Sequence, residues 1–190
     1  VENLLGDKVE AGSEGGVEIH PRYWTLVQEG YQRFQKNSGG WPYTPRHDEA
    51  KAGLTLGGIA SLFLVWDKYY TRRGCEERVD PELIHTLERG LKWCAQHYKD
   101  SKGYVKPYEM YAMERAGVAS GLKYFGDFDW YRVTAHKTIN RQSAAGAWQD
   151  HGTVCGTSWA VLFLAYGRAP IVFNKLSYGD KVENWNARPR

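Results

Sequence analysis

The chain has 190 residues, of which 14% are aromatic, including 8 Trp and 13 Tyr, and it carries a formal net charge of +3. That length suits one domain with a substantial core, packed largely by rings. The charges are scattered rather than gathered into the basic stripe of a nucleic-acid binder, and the longest charge-free apolar runs, around residues 59–66 and 159–166, fall short of a membrane span.

Residues 1–20 place Gly6, Gly12, Gly15 and Gly16 among acids without hydrophobic periodicity, which predicts a loop-like lead-in. Pro21 then opens a helix whose Trp24, Val27, Tyr31 and Phe34 form one apolar stripe. Asn37-Ser38-Gly39-Gly40 stops it, and residues 41–45 turn the chain. The next helix is predicted from about Glu49 to Tyr70. It has no charge between Lys51 and Asp67, so it reads as buried nearly all round.

The pair recurs. Asp80-Pro81 caps and starts a helix with Leu83, Leu87, Leu91, Cys94 and Tyr98 on one face. Residues 101–104 form the turn, and a partner helix runs from Lys106 to Ala119. A third amphipathic helix is predicted from near Asp129 to Gln142, with Asp127 or Asp129 as its N-cap. Residues 145–148 turn the chain, and Thr153 to Tyr166 is again charge-free. A shift of 100 positions lays Ala60-Ser61-Leu62-Phe63-Leu64 on Ala160-Val161-Leu162-Phe163-Leu164. The pattern is an exposed-face helix, a Gly-aromatic turn and a buried helix, three times over. A hairpin of this kind cannot cover its own apolar side, so stacking predicts an all-α fold with inner and outer helix layers.

Each outer helix closes on a Gln followed by Gly and an aromatic ring: Gln35 with Trp41, Gln96 with Tyr104, and Gln142 with Trp148. A Gln amide can donate to the last carbonyls of its own helix and accept from free N–H groups of the next, while Gly supplies a positive-φ stop. These turns resemble the QW repeats of the squalene-hopene cyclase, terpenoid cyclase and protein prenyltransferase superfamily. The copies are imperfect, and Gly30-x-x-x-Phe34-Gln35 through Gly40-Trp41 is the clearest. Over residues 21–168 the resemblance implies a partial α/α toroid of about three hairpins, since a full one has six or seven. The segment from Gly167 to Leu176, with Trp185 to Arg190, looks like part of large bacterial proteins of unassigned function in which such repeats precede a further domain. Residues 169–190 would then be an extended tail leading to that domain, and an extracytoplasmic setting is compatible with the sequence. The rest of the parent protein, or another copy of the chain, would cover the apolar edge of a half toroid. A hydrophobic or glycan ligand would suit its rings.

The chemistry of that superfamily is not carried over with its turns. Its acid cluster has no full counterpart, and its zinc-binding Asp-x-Cys pair does not occur. Cys75, Cys94 and Cys155 are odd in number and far apart, so they read as free thiols, and no metal or cofactor is expected. Asp48 and Asp150, each beside a histidine (His47 and His151), precede the buried helices. Each pair could act as a general acid with a hydrogen-bonded modulator, or as a helix cap. Tyr108, Tyr111 and Trp159 could line an apolar pocket or belong to the core. Glu114-Arg115 reads as a solvated helix end. Two functions follow: a binding or scaffolding segment of a larger protein, or an enzyme on the same scaffold, either an acid-type cyclase of polyprenyl hydrocarbons or a polysaccharide lyase or hydrolase.

Overall fold

In the computed structural model, residues 19–70, 79–99 and 105–168 are described. Cys75, Tyr104, most of the expected lead-in and the expected tail lie outside them. The elements run α1 (Pro21–Phe34), α2 (Ala52–Val65, continued by a π-helical turn Trp66–Tyr70), α3 (Pro81–Tyr98), α4 (Pro107–Ser120), β1 (Tyr124–Phe125), β2 (Phe128–Asp129), α5 (Trp130–Ile139) and α6 (Thr153–Tyr166). The fold is all-α apart from one two-stranded hairpin.

The inner layer is the row α2, α4, α6, with α4 packed between the other two. The outer helices cover it from one side: α1 and α3 on α2, and α5 on α4 and α6. Leu56, Ile59 and Leu62 of α2, Leu83 and Leu87 of α3, Met110 and Met113 of α4, and Phe163 of α6 form one continuous core. Close packing needs small residues where rings cross. Gly117 of α4 lies under the Trp130 indole, and Gly58 and Gly90 flank the Trp41 ring.

The first and third turns share one hydrogen-bond pattern. Gln35 Nε2 donates to the Gly39 carbonyl at 2.8 Å, and Gln142 Nε2 to that of Gly146, also at 2.8 Å. Trp41 Nε1 donates to the Tyr31 carbonyl and Trp148 Nε1 to that of Thr138, each at 2.8 Å and each ten residues back. The same tryptophans donate their backbone N–H to Thr55 Oγ1 and Thr157 Oγ1 of the following inner helices. Gly39 and Gly146 hold φ of 94° and 76°, the left-handed stop that side chains rarely adopt. The indole N–H thus satisfies a carbonyl near the end of the outer helix, and the ring seals the join.

Several expectations need correcting. Gln35 does not accept from the next helix. Its amide donates a second time, to the Thr86 carbonyl of α3 at 2.8 Å, and its Oε1 is buried without a partner. Gln96 does not end its helix. It is exposed within α3, which continues to Tyr98. The helix α2 starts at Ala52 rather than Glu49, because Pro42 and Ala50 form an antiparallel bridge that keeps residues 46–51 in a loop. Asp129 does cap α5, accepting from Arg132 N at 3.0 Å. The hairpin before it was not foreseen from sequence: Gly126 at φ 61° turns the chain so that Phe125 and Phe128 pair, and both are buried. On α1 the apolar stripe is not sunk in the core. Gln28 is the buried residue, donating to Asp80 Oδ2 at 2.6 Å, while Trp24 and Val27 are half-buried and Phe34 is exposed.

Candidate functional site

The α1 stripe faces a groove of about 520 Å³ between α1 and α2, which residues 41–45 and Tyr108 also line. Leu26, Val27, Tyr31 and Phe34 form one wall, and Leu54, Gly57 and Ser61 of α2 form the other. Among the described residues, no charged side chain lines it. Tyr31 is anchored edge-on to Trp41, with ring centroids 6.0 Å apart, and receives a hydrogen bond from Ser61 Oγ at 3.1 Å. A Cβ placed on Gly30 or Gly57 would meet nothing within 4 Å, so both glycines border open space. Such a surface suits an apolar occupant that approaches close to the helix backbone.

Four residues singled out from sequence converge around Tyr108. Asp150 Oδ2 accepts from the Tyr108 backbone N–H at 2.9 Å, and the Tyr108 ring meets Trp159 edge-on at 5.4 Å. His151 stands edge-on to Trp159 at 6.0 Å, with Nε2 3.7 Å from Asp150 Oδ1. His151 is the only non-glycine with positive φ among the described residues, at 48°, so the loop is held in a conformation that costs energy. Asp150 therefore does act as a helix cap, but for α4 rather than for its own α6. Pro107 contributes no N–H at the start of α4, and an acid from the next hairpin satisfies the first free donor.

The first-turn pair is not a counterpart. Asp48 is fully exposed and lies 3.5 Å from Lys36 Nζ, while His47 Nδ1 shares a 2.7 Å hydrogen bond with Thr44 Oγ1. Asp48 and His47 thus have separate partners, and Asp48 is not the N-cap of α2, which is Lys51. Tyr111 is half-buried one turn beyond Tyr108 and does not line the groove.

Glu114 was misplaced by the sequence reading. It sits in the interior of α4, only 1% exposed, not at a solvated end. Burial raises its carboxyl pKa, and the neighbouring Arg115 opposes the shift. The unfolded chain then ionises at lower pH than the folded one. The stability linked to Glu114 is present below the ordinary carboxylate pKa and is lost as pH rises through the raised one. Denaturant titrations of wild type and Glu114→Gln are expected to diverge: the fall in stability as pH rises above the ordinary carboxylate range shrinks in the variant. Equal slopes would show that Glu114 has no such linkage.

The two described cysteines differ in exposure. Cys94 is buried, and burial with the nearby Glu109 pushes its thiol up, while Cys155 is exposed. Among the described residues no group of three or more His, Cys, Asp or Glu could hold a metal ion, and no helix is long and apolar enough to cross a membrane. Searches of protein-family profiles, of curated proteins and of solved structures find no match to this chain.

Proposed function

We propose that the chain is a binding or scaffolding module built on terpenoid-cyclase-like α/α repeats, a segment of a larger bacterial protein whose open apolar edges hold further α/α hairpins. The uncharged groove between α1 and α2 carries this reading. Among the described residues it is lined by Val27 and Tyr31, which are half-buried, and by Phe34, which is exposed. The acids that an enzyme of this type would need are engaged or remote: Asp150 caps α4, Asp48 lies in solvent, and Glu114 does not border the groove. The raised Glu114 carboxyl is the one feature that favours an acid-type cyclase, or a polysaccharide lyase or hydrolase.

Gly57→Leu tests the groove without disturbing the fold, since nothing lies within 4 Å of the new Cβ. Anilinonaphthalene sulfonate, which fluoresces on apolar surface, is expected to bind the wild type and to bind the variant about tenfold more weakly. Replacing a helix-interior Gly is expected to raise stability by about 0.5–1 kcal/mol at the same time. Dye binding unchanged in a more stable variant would remove the groove as the binding surface.

A further inference from the structure

We infer that a second copy of this chain docks head to tail, its α1 covering α6 and the Trp148 turn as α3 covers α2 and the Trp41 turn. The inference rests on the binding reading above and names the occupant of the open edges.

The internal contact supplies the template. The sequences of α1 and α3 align from Pro21 on Pro81, which places Gly30 on Gly90. A Cβ on Gly90 would lie 3.0 Å from both the Trp41 ring and the Ile59 side chain, so this glycine is the notch that lets α3 seat on the first turn and on α2. Gly30 is the same notch and is empty, with nothing within 4 Å. The Trp148 turn repeats the glutamine, indole and tryptophan backbone N–H hydrogen bonds of the Trp41 turn. Ile59 lies four residues past Thr55, and Val161 lies four past Thr157, the two threonines that receive the tryptophan N–H groups. Ile59 is fully buried under α3, whereas Val161 is 51% exposed. One edge thus offers an unfilled notch, and the other an uncovered ring-and-helix surface of the kind that notch fits.

The polar groups at the edges match in the same register. Gln35 donates both to its own turn and to the Thr86 carbonyl of the next outer helix. Gln142 makes the first of these bonds and, among the described residues, not the second. In the alignment Thr86 falls on Leu26, whose carbonyl a docked α1 would bring. At the inner layer, Asp150 of the third hairpin caps the N-terminus of α4. The N-terminus of α6 has no side-chain cap among the described residues, and Asp48 and Glu49 are exposed in the loop that leads into α2. An incoming copy would carry those acids to the positive end of α6.

Sedimentation of the whole chain across a dilution series tests this. Wild type is expected to reach twice the 21.7 kDa chain mass or a higher multiple. Gly30→Leu fills the notch and Val161→Glu charges the opposite edge, both at positions open to solvent, so each variant alone is expected to sediment at lower mass than wild type. An equimolar mixture retains one intact edge of each kind and is expected to form a one-to-one dimer. Circular dichroism of each variant confirms that it is folded. A monomeric wild type, or a mixture that gains no mass over the separate variants, overturns the head-to-tail contact. Dye binding in the groove separates the two readings: a monomer that binds dye and loses it on Gly57→Leu defeats the second copy but leaves the binding module standing.

Discussion

Trp41→Ala is expected to lower the unfolding free energy by about 3–5 kcal/mol, read as a drop in denaturant midpoint with little change in slope. The indole is 3% exposed and meets Tyr31 edge-on. Gly58 and Gly90 leave it room that a side chain would occupy. Its removal opens a cavity where three helices meet. It also takes from the Tyr31 carbonyl the second of its two donors, leaving only the Gln35 backbone N–H at 3.1 Å. The control is Trp24→Ala on the half-buried side of α1, where a change well under half as large is expected. Equal losses at the two sites would show that Trp41 is merely one more ring in the core, not the seal of the turn.

The second large effect comes from adding a single carbon. Gly117→Ala places a Cβ 2.3 Å from two atoms of the Trp130 ring, well inside contact distance. The ring cannot swing away freely, because Nε1 donates to the Leu122 carbonyl at 2.7 Å and Phe125 stacks on it with centroids 6.3 Å apart. Overpacking of this kind costs about 1–3 kcal/mol, against the small gain that Ala brings to an open helix position. The strain should vanish in the Gly117→Ala, Trp130→Ala double variant, giving a strongly non-additive cycle in thermal unfolding. An additive cycle would mean that the helices simply move apart.

The layered helical scaffold was legible because its signals are local and redundant. Pro21, Pro81 and Pro107 open α1, α3 and α4, and the absence of charge from α2 and α6 placed them in the inner layer. The hairpin at Tyr124–Asp129 was missed because Phe125 and Phe128 have no alternation long enough to read as strands. Their pairing follows from Gly126 and from the stacking of Tyr98 on Phe128 at 5.2 Å. The groove was hidden for another reason. Trp24, Val27, Tyr31 and Phe34 look like an ordinary core stripe, and only the packing shows that part of it borders a groove among the described residues. Asp150 was legible as a cap, but its target was not, since a carboxylate can satisfy any helix start that folding brings near it. Glu114 was misread because Arg115 beside it suggested solvent, whereas the helical turn sends the two neighbours to opposite environments.

The cap that Asp150 places on α4 spans 42 residues of sequence. The start of the second hairpin's inner helix is therefore completed only by chain that follows the whole of α5. As the polypeptide leaves the ribosome, the first two hairpins and the outer helix of the third must have emerged before the Asp150 carboxylate can accept from the first turn of α4. Contact between neighbouring repeats, not the single hairpin, therefore completes this helix start.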